Sequence, residues 1–202
     1  MEQKMHTPEG VRDIYNRECE TKLAIQKKLS TVLHLYGYQD IQTPTFEYDD
    51  VFRKEIGSTS TKELYRFFDR EGNILTLRPD ITPSVARAAA TLFETEDFPI
   101  RLCYAGNTFT NHTSYQGRLK ENTQLGAELI GLDSIEADAE MLAMVVDGLK
   151  RTGLKEFQVN IGHVDFIQSL LEATGLEDDE MDEIRTLINN RNYFGVEEIL
   201  DN

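Results

Sequence analysis

Residues 77–131, LRPDITPSVARAAATLFETEDFPIRLCYAGNTFTNHTSYQGRLKENTQLGAELIG, leave few folds open to this chain. A strand runs directly into a helix opened by proline. A long apolar strand enters a polar turn, and a second long strand returns from it. Thr82 is a suitable N-cap and Pro83 suits the first helical position, where a missing N–H leaves nothing unpaired. The pattern predicts a helix over 83–93 and strands over 100–110 and 118–130.

The rest of the chain supplies layers for that unit. Residues 1–13 read as an extended arm, with turn chemistry at Thr7-Pro8-Glu9-Gly10. Ile25, Leu29, Val32, Leu33 and Tyr36 share one face of a helix beginning near Cys19 and ending at Gly37. A short strand over 38–43 is stopped by Pro44, which places it at an edge, an end or an interface. Residues 46–52 alternate and then turn helical, and GSTST (57–61) is a polar loop. Strands over 64–69 and 74–78 flank Arg70-Glu71-Gly72-Asn73, the clearest hairpin signal in the chain. Asp133 or Ser134 caps a helix with apolar residues Ile135, Leu142, Val145, Val146 and Leu149. A strand over 157–161 and helices over 164–174, 179–190 and 196–200 follow. The fold class is therefore α+β, an antiparallel sheet flanked by helices. The expected domains are a core over 1–165 and a helical segment over 166–202.

Charge and motifs exclude several functions. The chain has 21 basic and 36 acidic residues among 202, net −15, with no basic stripe. That weighs against nucleic-acid binding. No phosphate-binding glycine motif of the P-loop or dinucleotide type occurs. Cys19 and Cys103 stand far apart, with no CxxC and no histidine at ligand spacing. They read as free thiols in a reducing compartment, and no metal and no cofactor is expected. No signal-type or membrane-spanning run is seen, so a cytoplasmic location is expected.

The candidate chemistry lies in two groups. Asp80 and Thr82 sit where a strand becomes a helix. Gln124 and Glu128 are an even number apart on one strand, so they share a face. A buried carboxylate there needs a partner, and a ligand's ammonium or imidazole N–H would serve. A salt bridge from Glu128 to Arg78, Arg87 or Arg101 is the alternative. Thr110, His112, Arg118 and Lys120 flank the turn between the long strands. Arg118 and Lys120 could meet an anion there, or stand on a solvent-exposed tip. No Ser-His-Asp or Cys-His set follows from spacing.

Four strings, TPEGVRD (7–13), GYQDIQTPTFE (37–47), LRPDITPSVAR (77–87) and GRLKENTQLGAELIG (117–131), in this order and spacing resemble the class II aminoacyl-tRNA synthetase core of the histidyl type. The resemblance covers about residues 7–165. It implies that Asp80, Thr82 and Gln124 hold the α-ammonium and backbone end of histidine, and that Glu128 accepts from its imidazole. It also marks departures. An activating arginine of the family falls at Thr110, after Phe109. An adenine-reading glutamate falls at His112, and a following arginine at Thr113. Joining a carboxylate to an ATP phosphate calls for a permanent, planar cation. Losing one such donor costs about 3 kcal/mol of transition-state stabilisation or more. The chain is thus similar to the paralogous family of regulatory subunits of ATP phosphoribosyltransferase. The resemblance implies a non-catalytic subunit in the first step of histidine biosynthesis. It would bind free histidine, activate the short-form catalytic subunit, and form a homodimer within a hetero-oligomer. The other readings are an active amino-acid-activating synthetase using Arg118 or Lys120, or a fragment of one. The family's third motif and its histidine-specific tyrosine stretch are not found, so an incomplete core is expected.

Overall fold

The computed structural model describes residues 5–53, 61–93, 98–112, 117–176 and 178–200. Residues 57–60 of the expected loop over 57–61 and the family position Thr113 lie outside them, and Thr61 begins a short 3-10 helix, Thr61–Glu63. Two compact units divide the chain, Met1–Glu156 and Phe157–Asn202.

In the first unit, β5 (Ile100–Phe109) and β6 (Glu121–Ile130) form a ten-residue antiparallel pair. β1 (Gln39–Asp40) joins β5 in parallel at the sheet edge. Pro44 separates β1 from β2 (Phe46–Tyr48), which belongs to a second sheet. There β2 and β3 (Arg66–Phe68) flank β4 (Ile74–Leu77), both antiparallel to it. The expected single sheet is therefore two, divided where proline interrupts the donor ladder. The expected hairpin is β3–β4. Its turn is held by Asp69, whose carboxylate accepts from the Asn73 backbone and side-chain amides, and by Gly72 at φ +86°.

Residue parity sorts the first sheet into two faces. Ile100, Leu102, Tyr104 and Ile130 pack with Ile81 and Val85, carried by or just before α3 (Thr82–Leu92). Cys103, Leu125, Ala127 and Leu129 pack with Val32 and Leu33 of α1 (Asn16–Leu35) and Met144 of α4 (Ile135–Thr152). α2 (Asp50–Arg53) follows β2. Gly37 ends α1 at φ +86°, a conformation L side chains resist.

Three expectations are corrected. Thr82 is not an N-cap: α3 begins at Thr82, and the preceding Ile81 makes no side-chain cap. Asp80, just before the cap position, accepts from Thr82 N at 3.2 Å, and the threonine hydroxyl is left for other partners. The buried face of α4 is Ala137, Met144 and Gly148 rather than the largest aliphatics, and Ile135 is 83% exposed. A Cβ on Gly148 would lie 3.2 Å from Leu29 of α1, so small residues mark this face because the helices approach closely there. The strand expected over 157–161 is absent: these residues are mostly exposed and pair with no strand among the described residues. Alternation creates a strand only where a sheet edge accepts its ladder.

The second unit packs Leu171, Met181 and Ile184 at its centre, from α5 (Val164–Glu172) and α6 (Asp178–Asn189), with Val196 and Ile199 of α7 (Tyr193–Leu200) beside them. Among the described residues no helix is long and apolar enough to cross a membrane.

Candidate functional site

The site is built on the turn between β4 and α3. Arg78, buried, fixes that turn. Its Nε donates to Asn107 O at 2.8 Å, and its Nη1 to Thr43 O at 2.9 Å and Pro44 O at 3.2 Å. The guanidinium crosses β5 where Gly106 lacks a side chain; a Cβ there would lie 2.4 Å from Arg78 Nη2.

Four predicted residues, Asp80, Thr82, Gln124 and Glu128, meet beside that turn. The Gln124 amide bridges it: Nε2 donates to Asp80 Oδ1 at 2.8 Å, and Oε1 accepts from Ile81 N at 3.0 Å. Thr82 Oγ1 donates to Glu128 Oε1 at 2.8 Å. Tyr104 OH donates to the same oxygen at 2.9 Å. Each hydroxyl has one proton and both point at Oε1, so the 3.2 Å approach of Thr82 and Tyr104 is a contact of neighbouring oxygens. Burial, with Glu128 beside it, pushes the Tyr104 phenol far above its usual range, so it stays a donor.

None of the three arginines considered as partners reaches Glu128. Arg78 is taken by carbonyls. Arg87 donates to Glu47 at 2.8 and 3.1 Å, and Arg101 to Glu140 at 2.8 and 2.9 Å. Parity explains Arg101: Glu128 pairs with Leu102 in the ladder, so Arg101 points to the opposite face. Among the described residues, no ion pair is made by Asp80 or Glu128. Only neutral donors hold these half-buried carboxylates.

A cavity of about 460 Å³ opens from Thr82 and Glu128 along α3. Its walls are Ala86, Ala89 and Ala90 of the helix, with Phe93, Phe98 and Ile130. A carboxylate at one end of an apolar slot suits a small organic ligand with an N–H group to donate.

Sequence reasoning missed Tyr104 and the glycines that seat it. Tyr104 faces Gly126 across the ladder, and Gln124 faces Gly106. A Cβ on Gly126 would lie 2.5 Å from the Tyr104 hydroxyl oxygen. Glycine inside a long strand signals a close approach, and both positions carried that signal.

The hairpin mouth is separate. Thr110 N donates to Lys120 O at 2.9 Å, and His112 N to Thr110 O at 3.0 Å. The His112 ring lies 3.2 Å from Glu63 Oε1. Lys120 donates through its backbone to Gly10 O, and its stem lies over Gly10. Arg118 is exposed. Lys120 precedes Gln124 by four residues, roughly 13 Å of extended chain, so the structure does not bring Arg118 and Lys120 into the Asp80–Glu128 cluster.

Residues 10–202 match the family model described as histidyl-tRNA synthetase. Two ATP phosphoribosyltransferase regulatory subunits are similar throughout. That of Acetivibrio thermocellus is 41% identical over 200 residues, 99% of this chain and 48% of the relative. That of Ruminiclostridium cellulolyticum is 43% identical over 198 residues, 98% of this chain and 47% of the relative. The solved structure of an ATP phosphoribosyltransferase regulatory subunit/histidyl-tRNA synthetase from Bacillus halodurans C has a TM-score of 0.89 at 35% identity, covering 98% of this chain and 51% of that one. Apo S. aureus histidyl-tRNA synthetase has a TM-score of 0.63 at 31% identity, covering 75% and 36%. The chain spans about half the length of the curated relatives it matches. The α+β class II synthetase-like core expected from the sequence is thus the one present, and the chain belongs to the histidyl-tRNA synthetase family.

Proposed function

We propose that this chain carries the histidine-binding core of a regulatory, non-catalytic subunit of ATP phosphoribosyltransferase, acting in the first step of histidine biosynthesis. Asp80, Thr82 and Gln124 take the α-ammonium end, and Glu128 accepts from the imidazole. One observation carries this reading: Asp80 and Glu128, linked through Thr82, are held by neutral donors with no cation among the described residues, and Glu128 opens on the apolar cavity along α3. A ligand with N–H groups at both ends supplies what the protein leaves out. The relatives' name supports a catalytic ATP phosphoribosyltransferase as the partner; on this reading that partner is the short form, and the chain activates it as a homodimer within a hetero-oligomer.

Adenylation is the function this site has given up. Thr110, at the position where the resemblance places the activating arginine, offers one hydroxyl and no charge. The competing reading is amino-acid activation with a substitute cation. Lys120 favours it, because its backbone pairs with Thr110 across the hairpin mouth, and Arg118 lies two residues away. Two assays separate the readings. Mixing with a short-form catalytic subunit is expected to raise phosphoribosyl transfer, with histidine reversing the gain. Histidine-dependent ATP–pyrophosphate exchange that Lys120→Ala or Arg118→Ala abolishes would establish the synthetase reading instead.

A further inference from the structure

On the sheet face opposite the pocket, three donor side chains of different chemistry converge. His34 lies in the last turn of α1, Asp40 ends β1, and Cys103 stands directly beside Asp40 in the parallel β1–β5 ladder. His34 Nε2 lies 3.1 Å from Asp40 Oδ2, and Cys103 Sγ 3.5 Å from Asp40 Oδ1. One ligand atom from each residue lies within 4.8 Å of the other two. We propose that His34, Asp40 and Cys103 form a binding site for a single divalent transition-metal ion of the zinc type, away from the histidine pocket.

The donor set selects the ion. Thiolate and imidazole favour zinc and its neighbours, whereas magnesium and calcium take oxygen. Bond lengths of about 2.0–2.3 Å in a tetrahedral zinc site place ligand atoms roughly 3.3–3.7 Å apart. His34 and Cys103 each already approach Asp40 near that distance, at different carboxylate oxygens, Oδ2 and Oδ1. Side-chain rotation brings one oxygen to both, and His34 and Asp40 have room for it: their side chains are 47% and 71% exposed. Cys103, 1% exposed, is the fixed member. The exposed side leaves a fourth position to water. Gly37 N donates to His34 O and Tyr38 N to Leu33 O, so the turn joining α1 to β1 holds His34 near Asp40 without the ion. Binding places the Cys103 sulfur on the metal and releases its proton to solvent. Sequence spacing hides the site, because Asp40 and Cys103 are 63 residues apart.

The test is a Co²⁺ titration of chelator-treated protein, followed by absorbance, with Zn²⁺ competition. The expected result is one equivalent of Co²⁺ with a near-ultraviolet thiolate-to-cobalt band, displaced by Zn²⁺. Cys103→Ser should lose the band. His34→Ala, a change at an exposed position that leaves the core intact, should weaken Co²⁺ binding about tenfold or more. Cys19→Ser should keep both band and affinity. No thiolate band in the wild type, a band that survives Cys103→Ser, or unchanged affinity in His34→Ala would each overturn the proposal.

Discussion

Glu128 and Glu140 form two carboxylate–tyrosine pairs on opposite faces of one sheet. Glu140, on α4, accepts from Tyr38 OH at 3.1 Å, and Glu128 from Tyr104 OH at 2.9 Å. The difference is the second partner. Arg101 grips both Glu140 oxygens and holds its carboxyl below the usual range, whereas Glu128 has the uncharged Thr82. Glu140 is complete within the fold, and its charge joins α4 to β5. Glu128 has only uncharged partners among the described residues, and on the proposed function a ligand completes it. Asp49, 3% exposed, is the extreme of the first type, accepting from Thr76, Arg66 and Arg53. Glu140 and Asp49 each have an arginine, and among the described residues Glu128 does not.

The sharpest break of this comparison is at Asp49. Removing it takes away three hydrogen bonds to one buried carboxylate, from Thr76, Arg66 and Arg53, so Asp49→Ala should destabilise by about 3–5 kcal/mol in denaturant unfolding. A loss within the surface range of about 0.5 kcal/mol would remove Asp49 from the structural class.

Next comes the pair itself. Glu140→Gln should lower stability by about 1.5–3 kcal/mol, and Glu128→Gln should leave it within about 0.5 kcal/mol. Histidine affinity should respond in the opposite order, falling by about 1.5–3 kcal/mol in Glu128→Gln and holding in Glu140→Gln. Equal effects at both sites would erase the distinction.

Gly126→Ala pushes the Tyr104 ring out of its seat. Overpacking of this kind costs about 1–3 kcal/mol, and thermal unfolding would read it. Histidine affinity should fall as well, because Glu128 loses its phenol. Normal affinity in a destabilised Gly126→Ala would separate Tyr104 from the site.

The smallest effect is a pH dependence. Burial alone would raise the Asp49 pKa, but donation from Thr76, Arg66 and Arg53 outweighs it, and the net direction is down. Glu140 is lowered by Arg101. A carboxyl lower in the folded state contributes stability above its unfolded value, near 4, and loses it as pH falls through the folded value. Unfolding midpoints should therefore drop below about pH 4, and less steeply in Glu140→Gln.

Much of this was legible in the sequence, for local reasons. Pro83, Gly37 and the Arg70–Asn73 turn mark boundaries through their own backbone chemistry. Parity put Gln124 and Glu128 on one face, and the same rule excludes Arg101, because its ladder partner is Leu129 and not Glu128. Tyr104 was hidden because a tyrosine in an apolar strand resembles core, and only Gly126 opposite shows what its ring does. The α4 face was misread because large aliphatics suggest burial, whereas the approach of α1 selected Gly148. The strand expected over 157–161 has no ladder partner among the described residues, because a strand needs a sheet edge that local sequence does not reveal.

The central claim is that Asp80 and Glu128 await a ligand's N–H groups. Calorimetric titration of the wild-type chain with histidine, and with imidazolepropionate, which lacks only the α-ammonium, tests it most directly. Histidine is expected to bind, and the deaminated analogue to bind at least about tenfold more weakly, the loss of one charged hydrogen-bonding group. No heat with histidine, or equal affinity for the two compounds, would contradict it.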